Sequence, residues 1–315
     1  MARTALYSRK FPGGAFTFDD AAEHPGSIFF VSSVTGSSAN DGNTPDTAKA
    51  TIAQAVALCT ASKGDVIYVA PDHAETIATA GGIDLNVAGI TVIGLGRGTN
   101  RPTIGVGTAT TATFKVSAAN VTVRNMRFRA VTAQNLVKMI DVAESGATFE
   151  DCWFQGASTA TFLVNSFINL TTTKDDFIFR RCQFFQGTDP AATDGGADTG
   201  CFYIVDSENI LIEGCEFYGN FETAIVHNRT TACKNLWVKD CRGIQSLSGA
   251  EPFQLVDGAN GAMLGGGFIT PAEAAATEAT LVGTVGNSFF VLQPGSFGND
   301  GGAGGQGGIV VTTAS

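Results

Sequence analysis

Apolar and polar residues alternate along this chain in short bursts, and the bursts recur. Five segments share one pattern: three alternating positions, a break at Asn, Asp, Arg or Gly, then alternation again. They run Val121–Phe128, Ala147–Phe154, Phe177–Phe184, Ile210–Phe217 and Leu236–Gly243. An earlier copy sits at Ile90–Leu95 and a degenerate one at Ala262–Ile269. Period two, a corner and period two again predict two short strands per copy. A further strand precedes most copies, at Phe114–Val116, Met139–Val142, Phe167–Leu170, Phe202–Val205 and Ala224–Val226. Three strands in 26 to 33 residues make one coil of a parallel β-solenoid, with coils stacked about 4.8 Å apart.

Aligning the copies predicts which residues stack. The inward positions give Met126, Cys152, Cys182, Cys215 and Cys241, with Phe128, Phe154, Phe184 and Phe217 beside them. Like residues in line are what a solenoid interior contains. One outward column reads Arg124, Glu150, Arg180, Glu213, Lys239, alternating in sign. Cross-strand neighbours of opposite charge attract, at about 0.2–1 kcal/mol per pair. The sign pattern therefore supports the alignment independently of the apolar one.

Ahead of the repeats, Thr51-Ile-Ala-Gln54 has the form of a capping box, and Ile52, Val56 and Cys59 fall on one helical face. Lys63-Gly64 supplies a basic last turn and a glycine stop. A short helix ending there would cover the open end of the stack, with Asp65–Val69 as the first strand.

Three stretches carry a resemblance: Phe30–Asp46, Ala50-Thr-Ile52 and Gly64–Pro71 resemble the opening of pectin-lyase-like right-handed β-helix proteins. The resemblance spans about residues 27 to 270 and implies a right-handed coil, which the periodicity leaves open. Pro71–Ile77 followed by Val87–Leu95 is similar to β-helix proteins encoded among tailed-phage virion genes. The expected architecture is all-β: a right-handed single-stranded parallel β-helix with a short N-terminal capping helix and non-solenoid terminal extensions. Residues 1–26 form an arm, 27–270 the helix, and 271–315 a β extension with a Gly-rich loop.

Composition narrows the function. The 315 residues carry a net charge of −10, against nucleic-acid binding, which needs a basic face. No apolar run is long enough for a transmembrane helix. The N-terminus lacks the apolar core of a signal peptide. Seven cysteines in a chain this long read as reduced thiols rather than staples.

A β-helix of this kind is a glycoside hydrolase, a polysaccharide lyase, or a non-catalytic rod. Hydrolases need two facing carboxylates. Lyases need a carboxylate-held Ca²⁺ and a base for the α-proton. The sign-alternating column neutralises its acids in pairs, and its neighbour (Arg127, Trp153, Gln183, Glu216, Arg242) is mixed. Asp206, Glu208, Glu213 and Glu216 form the densest acidic group, with Glu213 and Glu216 on opposite sides of a corner. Asp189, Asp194 and Asp198 in a Gly-rich insertion lack the ligand spacing of a Ca²⁺ loop. His227 reads as a surface or corner residue, and thiols in a line do not close a zinc tetrahedron. No cofactor or metal site is expected.

The ends differ from the repeats. Arg3, Arg9 and Lys10 form a basic patch on an acidic chain, followed by Phe11, Phe16 and Phe18 in an extended apolar stretch. These six are the expected contacts to a partner surface. The phage resemblance implies a homotrimer and a virion protein made in the host cytoplasm. On it, the expected role is decoration of the outer capsid surface, with the major capsid protein as partner. The alternatives are a tail fibre or spike that binds host glycan through Trp153 and Trp237, and a polysaccharide-degrading enzyme.

Overall fold

The computed structural model describes residues 26–131, 136–156, 164–170, 173–187, 200–221, 223–228, 231–245, 251–269, 282–283 and 288–292. The arm residues Arg3, Arg9, Lys10, Phe11, Phe16 and Phe18 and the acidic insertion 188–199 lie outside them. The chain is a right-handed parallel β-helix walled by three sheets. Among the described residues, sheet A has ten strands and sheets B and C have eight each, all paired in parallel. Each coil visits A, then B, then C. One coil comprises Thr148–Glu150 in A, Trp153–Gln155 in B and Ser166–Leu170 in C.

The A-to-B corner explains the repeated motif. Asn125, Asp151, Arg181, Gly214 and Asp240 all take the left-handed conformation, with φ between 50° and 62°. Asn, Asp and Gly adopt it at least cost. Arg181 is the exception. Its guanidinium makes two hydrogen bonds to the Asp151 carboxylate one coil below, at 2.8 and 3.0 Å, which offsets the strain. Each corner N–H donates to the next coil, as Asp151 does to the Arg180 carbonyl at 3.0 Å.

The residue after the corner points inward. Cys152, Cys182, Cys215 and Cys241 are fully buried there. Each thiol donates to a carbonyl of the coil below, Cys182 to Phe149 at 3.5 Å and Cys241 to Ile212 at 3.4 Å. A small apolar side chain with a weak donor suits a corner where the strand ladder is interrupted. Burial pushes the Cys182 and Cys201 thiols well above their ordinary range, so they stay protonated and unreactive.

Beside the thiols run the aromatic rings. Phe128, Phe154, Phe184 and Phe217 stack at centroid distances of 5.2, 4.6 and 5.1 Å, with planes within 8°. The column then meets Gly243, in register between Phe217 and Phe268. A Cβ there would lie 2.8 Å from the Phe268 ring and 3.1 Å from the Phe217 Cβ. The glycine leaves room for the ring above it. From the C side, Phe167 and Phe202 pack edge-on against Phe184 at 6.1 and 5.2 Å.

Three boundaries differ from expectation. The first strand is Ile28–Val31, which pairs with Val66–Val69, so Asp65 does not open the sheet. Its buried carboxylate instead gathers the N–H groups of Ser27 and Thr60. That turn at Thr60 accompanies the second correction: the helix, α1, is only Ile52–Val56 rather than reaching Lys63. Thr51 caps it as expected, accepting from the Gln54 N–H at 3.3 Å, while the Gln54 side chain bonds the Ala50 N–H. With Ile52, Ala55 and Val56 buried, α1 packs on Ile83–Leu85, the terminal strand of sheet C. Third, stacking continues past residue 270: Val282–Gly283 joins sheet C and Ser288–Leu292 joins sheet A. The strands at this end belong to the solenoid because they keep its parallel register.

Candidate functional site

Three outward faces are available, and they differ in chemistry. On sheet A, Arg124, Glu150, Arg180, Glu213 and Lys239 occupy successive partner positions. Arg124 meets Glu150 at 2.8 Å, and Arg180 bridges Glu150 at 3.6 Å and Glu213 at 2.9 Å. Lys239 instead lies over the Trp237 ring, 5.6 Å from its centroid.

On sheet B the mixed column is also occupied. Arg101 stacks on Trp153 at 4.3 Å. Glu216 is bound by Arg242 and by the Gln183 amide. Glu213 and Glu216 therefore face different sheets and different cations, and do not converge. The two tryptophans do not form one platform, since Trp153 stands on sheet B and Trp237 on sheet A.

Sheet C holds what the sequence reading missed. One outward position on each of its strands brings Asp84, Lys115, Asp141, Asn169, Tyr203, His227 and Gln254 into one column. Asp141 accepts from Lys138 at 2.8 Å and from the Asn169 amide at 2.9 Å. Tyr203 and His227 meet edge to face at 5.7 Å. His227 is no surface or corner residue: it lies in the strand Ala224–Asn228 at 5% exposure. Burial raises the Tyr203 phenol above its ordinary pKa. The signal was present in the sequence, as Lys115, Asp141, Asn169 and Tyr203 are each the polar centre of an apolar triplet. The last triplet, read as ending at Val226, stopped one residue short of His227.

The remaining histidine of the described residues, His73, is a structural anchor. It is 1% exposed, accepts at Nδ1 from the Ser33 N–H at 2.9 Å, and places Nε2 3.3 Å from Glu75. Among the described residues no three His, Cys, Asp or Glu side chains gather as metal ligands, and no helix is long and apolar enough to cross a membrane.

One shallow groove, of about 330 Å³, opens on sheet A. Its floor is Ile178, Leu211 and Trp237, with Asp176, Asn209 and Asn235 along one side and Lys239 on the other.

No protein-family model matches the chain, and no curated protein sequence does. Among solved structures, the pectate lyase Pel9A superposes with a TM-score of 0.56 at 12% identity, over 86% of this chain and 76% of its own. A rhamnogalacturonan lyase, also 12% identical, gives 0.48 over 84% of this chain and 87% of its own. The likeness to the pectate lyase is one of fold: the same solenoid architecture, carrying sequence that has little in common.

Proposed function

We propose that this chain is a non-catalytic structural protein of a phage virion that decorates the outer capsid surface. The observation that supports it is the engagement of the strand carboxylates. Glu150 and Glu213 are held by arginines, Glu208 by Lys234 at 2.8 Å, and Glu216 by Arg242. Asp141 is held by Lys138, Asp84 by the Ser117 hydroxyl at 2.6 Å, and Glu75 by the Ile52 N–H at 3.1 Å. Acids bonded along the stack brace a rod. A glycosidase or a Ca²⁺-assisted lyase instead aims several of them at one point. The similarity of Pro71–Ile77 and Val87–Leu95 to virion β-helix proteins supplies the setting, with the major capsid protein as partner and a trimer as the assembly. A protein that binds only the assembled lattice stabilises it by mass action.

The test is the copy number of this chain in purified virions, by quantitative mass spectrometry against the major capsid protein. A copy number comparable with the capsid lattice is expected. A handful of copies would make it a tail or vertex device, and none would end the virion reading.

A second reading, polysaccharide lyase, is favoured by the ionisable column on sheet C together with the fold shared with a pectate lyase. It predicts release of unsaturated oligosaccharides from polygalacturonate, followed by ultraviolet absorbance, and its loss in Tyr203→Phe and His227→Ala. Activity of that kind would displace the structural reading, and its absence from both pectic polymers, polygalacturonate and rhamnogalacturonan, would remove the lyase one.

A further inference from the structure

The groove on sheet A lies where one outward column changes from threonine to large apolar residues, between the apolar Val66 near its start and Ala262 above it. The outward position two residues before the charge column is Thr91, then Thr122, then Thr148 on successive coils. In the next three coils it becomes Ile178, Leu211 and Trp237, still in register. A solvent-facing strand position that turns from threonine to large apolar residues gains nothing for the core, which lies on the other side of the sheet. Trp237 stays 37% exposed.

The flanks of this stripe are polar and ordered. Asn235 donates its amide to Asn209 at 2.7 Å, and Asn209 donates to Asp176 at 3.0 Å. Each asparagine keeps a second amide N–H and further lone pairs, and both side chains are exposed. Across the stripe, Lys239 is the member of the charge column that has no carboxylate within ion-pairing distance among the described residues. The lining holds one acid and one base, so it has no net charge.

We propose that this groove binds a neutral oligosaccharide laid along the stacking direction of the coils. Sugar rings present an apolar C–H face to an indole and aliphatic floor, and equatorial hydroxyls to amides and an ammonium at the rim. The coil spacing of about 4.8 Å sets Ile178, Leu211 and Trp237 as three successive steps under adjoining rings. The volume is at the low end for small-molecule sites, enough for one or two rings. Other occupants fit less well. A peptide adding by strand pairing needs a sheet edge, and these strands are interior to the sheet. A nucleic acid is repelled by the net charge of −10. The site is separate from the sheet C column and does not depend on whether the chain is part of a virion.

The full chain has two tryptophans, so a Trp153→Phe variant makes Trp237 the sole indole reporter. Its emission is titrated with cellohexaose, chitohexaose and mannohexaose, and with an oligogalacturonate as the acidic comparison. A saturable shift with at least one of the neutral sugars is expected. Calorimetry in the Trp153 parent background should show binding weakened about tenfold or more by Asn235→Ala and lost in Trp237→Ala. Trp237→Phe, which keeps a ring, should retain part of the affinity and guards against a folding defect in the alanine variant. The proposal fails if none of the three neutral sugars shifts the emission. It fails equally if the acidic oligomer alone binds, or if binding survives in a folded Trp237→Ala.

Discussion

Sheets A and C are built from the same coils, yet their outer columns solve different problems. On A the charges alternate in sign and bond to one another along the stack, so Arg180 serves two carboxylates at once. On C the residues differ in kind from coil to coil, and several are nearly buried: Asn169 at 9% exposure, His227 at 5%. A repeated column of one chemistry is a brace. A column in which an acid, an amide, a phenol and an imidazole follow one another carries no such regular pairing from coil to coil.

The largest effect expected from any single change tests what lies beneath the B and C faces. Phe184 contacts Phe154, Phe217, Phe167 and Phe202, so Phe184→Ala should cost about 3–5 kcal/mol. Urea unfolding would check it, and a loss under about 1 kcal/mol would mean that the stack is loosely packed. Gly243→Ala comes next, at about 1–3 kcal/mol from overpacking against Phe268 and Phe217.

The faces themselves should respond unequally. Glu150→Lys removes two ion pairs and sets three cations in a row, which should cost about 1–2 kcal/mol at low salt. The loss should shrink as salt screens it. Asp141→Asn on sheet C keeps a partner for the Asn169 amide and forfeits only the Lys138 pairing, so a cost below about 1 kcal/mol is expected. Equal effects in denaturant titrations would erase the distinction drawn between the columns.

Alkaline pH sharpens it from the other side. Burial raises the Tyr203 phenol on sheet C and pushes the Cys233 thiol, just beyond the strand Ala224–Asn228, from 9.0 up to about 12. In the folded chain these groups hold their protons after the unfolded chain has released them. The stability they contribute is therefore complete below about pH 9 and declines as pH rises through 12. Tyr203→Phe with Cys233→Ala should lessen that decline by the share of these two groups, while the raised Cys182 and Cys201 keep theirs. An unchanged profile would place its origin elsewhere.

Much of this architecture was legible because stacking repeats the same demand on each coil. Cys152, Cys182, Cys215 and Cys241 could be aligned because each corner needs the same small inward residue. The Arg124–Lys239 column was legible because neighbouring signs constrain one another. Features met once were harder. The stop of α1 at Val56 comes ahead of the Lys63-Gly64 signal, and a turn whose Thr60 N–H donates to Asp65 fills the space between. The strands beyond residue 270 pair one coil back, on Phe253-Gln254 and Asn260–Leu264, in sequence that no longer carries the corner motif. The sheet C column is aperiodic in chemistry, so its polar centres looked like unrelated residues until the register set them side by side.

The alternating charges on sheet A also confer a parity on the molecule. Removing one whole coil between Arg124 and Lys239 would set like charges against each other, whereas removing two would restore the order. A chain that skips a coil while folding meets repulsion at the mismatch, and only an even error passes unnoticed. The same arithmetic bears on how such a protein grows or shrinks across generations: coils should be gained or lost in pairs through this stretch, or else with a compensating change of sign.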